Sequence, residues 1–227
     1  MSALPPVPQT VPQLYRQLLS HGHDDATLRR VAVAAAEVVH ATALMFRGSL
    51  KPFSAHLVGV AGLVAEADEP ADVIVAALLH ASYQDRVLGG ESLAAAQARI
   101  AATHGAAVEA LVSAYHAVEA GADLPADDPR ARAVAILHLC DEIEDALDLG
   151  GWLHGRPEDD GTERGSGGFR LRRLASYAGW VASRRFDEAG QLRQRYAEVL
   201  ADALGGAVPT VLRTGRYTSY AVEPPAP

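Results

Sequence analysis

Cys140 is the single cysteine of this 227-residue chain, so no intrachain disulfide can form and stability must come from packing. The missing disulfide framework points to an intracellular, cytoplasmic protein. Basic charge is in deficit: 20 Lys and Arg against 28 Asp and Glu give a formal net charge of -8. A phosphate backbone selects a basic face, so this balance argues against broad nucleic-acid binding. It leaves room for a local basic pocket that holds one small phosphorylated ligand. Long apolar runs are also missing. Each is broken by Glu, Asp, Arg or His, and none is expected to span a membrane. Residues 1–10 lack both a basic start and an apolar stretch, which excludes a secretory signal. Aromatics make up only 6% of the chain, although 49% of it is hydrophobic, mostly Ala, Leu and Val. Small aliphatic side chains favour helix packed on helix, and 227 residues suffice for one domain with a real core. The expected fold class is all-α.

Helical spacing and its punctuation divide the chain. Residues 1–23 are expected to form a proline-rich loose arm and a short helix over 11–19. A helical core over 24–150 follows, then a glycine-rich charged loop over 151–169, then helices and an extended tail over 170–227. Within the core, Asp24 or Asp25 caps a helix running to about residue 46. Arg47 to Pro52 forms a polar connection, and Ser54 caps the next helix. Pro70 suits the first turn of another. Residues 83–90 read as a polar turn closed by Gly89-Gly90. Further helices are expected over 91–103, 105–118, 129–149, 171–183 and 187–204, with strand only at 208–212 or 217–222.

The chain is organised around residues 53–86. Two apolar helical segments meet at a short turn, Asp68-Glu69-Pro70; His56 opens the first and His80 closes the second. Helices joined by so short a turn lie antiparallel, which brings the two histidines together. A lone histidine on an apolar helix is usually a core residue bonded to a carbonyl; a pair brought together by a hairpin is not so easily explained. Downstream, Asp141 interrupts the apolar helix LHLCDEIEDALDL. A buried carboxylate is costly unless paired or bound to a cation. It can also be solvated, since Glu142, Glu144, Asp145 and Asp148 crowd the same helix. Two imidazoles and one carboxylate suit a divalent transition metal, with Mn or Fe preferred over Zn, and leave positions open for water or substrate.

The order Arg47, Ser49, Pro52-Phe53, His56, Leu78-Leu79-His80, Gln84-Asp85 and Asp141 resembles the HD superfamily of metal-dependent phosphohydrolases, and within it the hydrolase half of the RelA/SpoT alarmone enzymes. The stretch over 99–118 is similar to the same region of those enzymes, and the likeness extends over about 47–149. It implies an HD-like helical bundle with additional C-terminal helices, and His56, His80 and Asp141 as metal ligands. Two positions depart from the pattern. Ala81 replaces the Asp of the His-Asp doublet, which disfavours a two-metal centre. Gln84 replaces a Glu and cannot serve as a general base. The segment LLHASY is closer to uncharacterised HD-like proteins with a His-Ser or His-Ala doublet followed by Tyr.

Around this set, Asp85, Tyr83 and Gln84 are the candidate catalytic residues. Asp85 could orient a water or cap the turn, and Tyr83 could donate to substrate or pack in the core. Gln84 shares a face with His80 if the helix continues. Arg47 and Lys51 are candidate substrate-binding cations at a helix start, or simply a solvated loop. His104, His116 and His138 read as structural, Cys140 as core, and Arg170, Arg172 and Arg173 as a salt-bridged surface or a second wall. Three functions fit. One is a hydrolase that activates water with one metal, acting on a small anionic or phosphorylated metabolite. The second is an iron-dependent oxygenase or other non-hydrolytic enzyme on the same fold. The third is an inactive ligand-binding module. The partner expected is a small molecule, with neither nucleic acid nor membrane, and a homodimer is left open.

Overall fold

The computed structural model describes residues 6–47, 51–125, 127–147, 192 and 194–199. Regular structure among them is entirely helical: α1 (Val11–Ser20), α2 (Asp25–Ala41), α3 (Phe53–Glu66), α4 (Ala71–Leu79), α5 (Asp85–Leu88), α6 (Leu93–His104), α7 (Ala106–Glu119) and α8 (Ala131–Ala146). Residues 194–199 are helical as well, within the helix expected over 187–204. The expected helix over 171–183, the loop over 151–169, the basic cluster Arg170, Arg172 and Arg173, Ser49, and both strand candidates lie outside the described residues. No helix of the described residues is long and apolar enough to cross a membrane.

The α3–α4 hairpin is the centre of the bundle, and its composition explains why. Every residue of α3 except Ser54 is buried, as is every residue of α4 from Val73 to Leu79. A helix apolar all round has no face to give to water and must be enclosed. α3 packs against α4, α8 and α1, while α4 packs against α2 and α7. Leu57, Leu63, Leu78 and Leu79 are at most 1% exposed; each contributes about 1.5–3 kcal/mol by leaving water. The hairpin turn itself includes Asp68 at φ 58°, a conformation that Asp tolerates better than most residues.

Four local features differ from the reading of the sequence. α2 ends at Ala41, not near residue 46, because the Thr42 hydroxyl donates to the Val38 carbonyl at 2.6 Å and the chain then turns. It returns through an antiparallel bridge between Phe46 and Pro52, with the Arg47 amide donating to the Lys51 carbonyl at 2.9 Å. α3 begins directly after Pro52, without a side-chain cap from Ser54. α4 stops at Leu79, because the His80 Nδ1–H donates to the Ala77 carbonyl at 2.7 Å and so takes an acceptor the next turn would have used. The helix therefore does not carry Gln84 onto the face of His80, and the supposed polar turn contains α5. Finally, the expected loose arm is docked from residue 7: Val7, Pro8 and Gln9 are buried. Pro8 can lie on α3 because Gly62 has no side chain, since a Cβ there would stand 2.5 Å from the proline ring.

Two ion pairs, one buried and one with its arginine partly exposed, brace the frame. Arg195, within the helical stretch 194–199, grips Glu66 of α3 in two parallel bonds of 2.9 and 2.8 Å, and Arg132 of α8 pairs with Glu69. The hairpin is thereby tied at its turn end, opposite the end that carries the histidines.

Candidate metal centre

His56 lies in the first turn of α3, His80 at the end of α4 and Asp141 in α8, and the antiparallel packing brings all three side chains to one buried point. The two imidazole rings are 5.5 Å apart, nearly perpendicular. Asp141 Oδ1 is 3.1 Å from His56 Nε2 and 3.8 Å from His80 Nε2. The three residues are 1%, 3% and 8% exposed, respectively. Their ligand atoms lie within 4.8 Å of one another, a group that could hold a metal ion.

Hydrogen bonding on the far side of each ring assigns the tautomers. A carbonyl only accepts, so His80 carries its proton on Nδ1, facing Ala77, and presents an Nε2 lone pair to Asp141. His56 Nδ1 faces Glu144 Oε2 at 2.6 Å, which places a proton there too. Arg47 Nη1, a pure donor, stands 3.2 Å from His56 Nε2 and selects a lone pair at that atom. Meanwhile Asp141 Oδ1 is buried and has no hydrogen-bond partner, although it lies 3.1 Å from His56 Nε2. Two imidazole Nε2 atoms and a carboxylate oxygen without a directed hydrogen bond thus share one buried point. Ligands each about 2.1 Å from an ion lie roughly 3.0–3.5 Å apart at octahedral to tetrahedral angles; the 3.1 Å separation falls in that range and the 3.8 Å separation is slightly wider.

The Nδ1 side of His56 is already satisfied. Glu144 is bound by Lys51 and by Gln9 Nε2 at 3.3 Å, and Asp145 accepts a fork from Arg47. His56, Glu144 and Asp145 are also close enough to hold a metal, but the two side-chain cations occupy that side. Asp141, Glu144 and Asp145 bring three carboxylates to within 3.5 Å of the His56 ring, and Arg47 and Lys51 are among their partners. Burial and Arg47 push the His56 imidazole down, but Glu144 and Asp141 outweigh them and lift it to about 9. Either a proton or a metal ion at Nε2 would compete with the Arg47 donor for the single lone pair of that nitrogen. His80 goes the other way: burial holds it at about 4, only partly offset by Asp141, so it stays neutral and able to ligate. Burial pushes Asp141 up, but its contact with His56 and the charges of His56, His80 and Arg47 bring it well below the usual carboxylate range.

Tyr115 of α7 completes the shell by donating to Asp141 Oδ2 at 2.8 Å, with His138 stacked on its ring at 4.0 Å. The carboxylate behind His56 and the hydroxyl behind Asp141 are outer partners of the kind that orient metal ligands. Glu144 reaches His56 across Gly59, where a Cβ would lie 2.6 Å from Oε1 and 2.7 Å from Cγ. Gly59→Ala is therefore expected to cost about 1–3 kcal/mol by overpacking and to weaken metal binding by displacing Glu144. A denaturation midpoint and a metal titration within error of wild type would refute this.

The remaining predicted residues are placed differently. Arg47 and Lys51 do reach the centre, paired to Asp145 and Glu144 as described. Tyr83 is buried against α7, donating to Glu109 Oε1 at 3.3 Å, with its ring 5.9 Å from that of His116. Gln84 Oε1 accepts from Arg86, and Asp85 is exposed. No hydrogen bond or ion pair joins these three to His56, His80 or Asp141. His104 is bonded to Glu37 at 2.8 Å, and Cys140 is core, with burial pushing its thiol up. Glu144, Asp145 and Tyr115 are site residues that the sequence reading passed over. The available signal was spacing: Asp141, Glu144 and Asp145 stand at i, i+3 and i+4, on one helix face.

Residues 32–120 match the family described as a domain of unknown function (DUF6817). The matched stretch takes in most of α2 and all of α3 to α7, with both histidines, and stops before α8 and Asp141. No curated protein and no solved structure matches the chain.

Proposed function

We propose that this protein is a divergent HD-type hydrolase that uses one divalent metal ion, held by His56, His80 and Asp141, on a small anionic metabolite. One observation supports the reading: Asp141 Oδ1, buried and without a hydrogen-bond partner, lies 3.1 and 3.8 Å from the Nε2 atoms of two buried imidazoles. The order of the motif residues along the chain supports the HD-like arrangement. When bound, such a cation lowers the pKa of a coordinated water and polarises a phosphoryl oxygen. The protein's own residues do the rest. Glu144 and the Ala77 carbonyl keep both Nε2 lone pairs turned inward. Tyr115 holds Asp141, and Arg47 lies at the rim beside His56. Ala81, at 1% exposure, leaves no carboxylate for a second metal. Two histidines and one carboxylate also form the donor set of iron(II) oxygenases, which gives a second reading on the same residues.

The test is elemental analysis of protein purified without a histidine tag, followed by titration with manganese(II), iron(II) and zinc(II). About one ion per chain is expected. Phosphate release from a panel of phosphorylated metabolites with manganese supports hydrolysis, while dioxygen consumption with iron supports the oxygenase. Absence of stoichiometric binding at micromolar metal would remove both.

A further inference from the structure

Arg86 shares the Phe53 ring with this centre, and among the described residues no acid forms an ion pair with it. Its guanidinium lies over the Phe53 ring, 4.5 Å from the centroid, and the same ring takes Arg47 at 5.9 Å and stacks on His56 at 5.7 Å. Phe53 is therefore a shared floor beneath two guanidinium groups and a candidate metal ligand. Arg47 has Asp145 as its acid, but Arg86 has none: Nε and Nη2 donate at 3.1 and 2.9 Å to Gln84 Oε1, a neutral acceptor. The neighbouring Asp85 forms no ion pair with it. Burial and the nearby charge of Arg47 both push the Arg86 guanidinium down, as expected for two like charges held close.

This arrangement is built for an anion. Gln84 uses one edge of the guanidinium and Phe53 fixes its plane, so the Nη1–Nη2 edge is left oriented and unsatisfied, on an exposed residue. Holding a cation by an amide and an aromatic face, not by a carboxylate, retains its charge for a ligand. The free guanidinium edge matches the paired oxygens of a phosphoryl group.

We propose that Arg86, positioned by Gln84 and Phe53, binds the phosphoryl group of the substrate on the Phe53 side of the metal centre. The inference rests on the metal reading above, and the experiment separates the two. Protein loaded with manganese(II) is titrated with inorganic phosphate, and metal content is measured independently on every sample. Wild type is expected to bind phosphate saturably. Arg86→Gln should weaken binding about tenfold or more with unchanged metal stoichiometry, and Arg86→Lys should recover part of the loss. Gln84→Glu should weaken it as well, since it neutralises Arg86 in place. Equal phosphate affinity in wild type and Arg86→Gln, or no saturable binding by wild type at millimolar phosphate, overturns the assignment. Absent metal in wild type overturns the metal reading instead; the phosphate series on metal-free protein then still decides the role of Arg86.

Discussion

Glu144→Ala is expected to lower the free energy of unfolding by about 3–5 kcal/mol, the usual cost of leaving buried partners without their counter-charge. Glu144 is 1% exposed and serves Lys51, the His56 Nδ1–H and Gln9 at once. Removing it strands a lysine whose side chain is 8% exposed and releases the docked arm at Gln9. Chemical denaturation of the metal-free protein measures the loss. The pH dependence has a definite sign. Burial pushes Glu144 up, but Lys51 and His56 outweigh it and bring the carboxyl from 4.5 to about 2. A depressed folded pKa means that the contribution is complete above the unfolded value and is lost as pH falls through the folded one. The gap between wild type and variant should therefore be widest above about pH 4.5 and close as pH falls toward 2. A loss below 1 kcal/mol at neutral pH would show that the network is not coupled as drawn.

Asp141→Asn should divide stability from metal binding. Metal affinity is expected to fall by more than the roughly 10–100-fold that loss of an outer partner costs, because an inner ligand and its charge are removed. The metal-free fold should lose no more than about 1–2 kcal/mol. The amide oxygen can still accept from Tyr115, and His56 keeps Glu144 as its acid. Isothermal titration with manganese(II) or zinc(II), set beside a denaturation curve of each apo-protein, gives both quantities. A structural ion cluster would behave otherwise: Asp141→Asn and Glu144→Ala would then damage stability alike, and neither would change metal content. The contrast between the two variants is thus the sharper measurement.

Legibility of the site followed the range of the forces involved. The juxtaposition of His56 and His80 could be anticipated, because a three-residue turn between two apolar helices leaves the chain little choice. Asp141 drew notice because a carboxylate among Leu, Ile and Cys residues needs an explanation. Glu144 did not, because from spacing alone it was one of several acids able to face water, and only the passage over Gly59 shows where it goes. Nothing in the local sequence singles out Tyr115, and only the fold brings its hydroxyl to Asp141. The break after Leu79 was also hidden, since α4 has no glycine or proline at that end; the ring of His80 ends it by taking the Ala77 carbonyl. That break is what leaves Gln84 and Arg86 beside Phe53 instead of on a continuing helix.

Alone, the amino-acid sequence determined that the chain is helical, where most helices begin, that α3 and α4 are central, and that two histidines share one end of a hairpin. Capping, periodicity and turn length are interactions between residues a few positions apart, and they are written locally. Which nitrogen of each imidazole faces inward, which acids are enclosed and which arginine keeps its charge were decided only by tertiary structure. Those outcomes depend on partners 88 and 98 residues distant, as with His56 and Glu144 or Arg47 and Asp145. Burial makes each such pairing strong, but no local pattern specifies the partner.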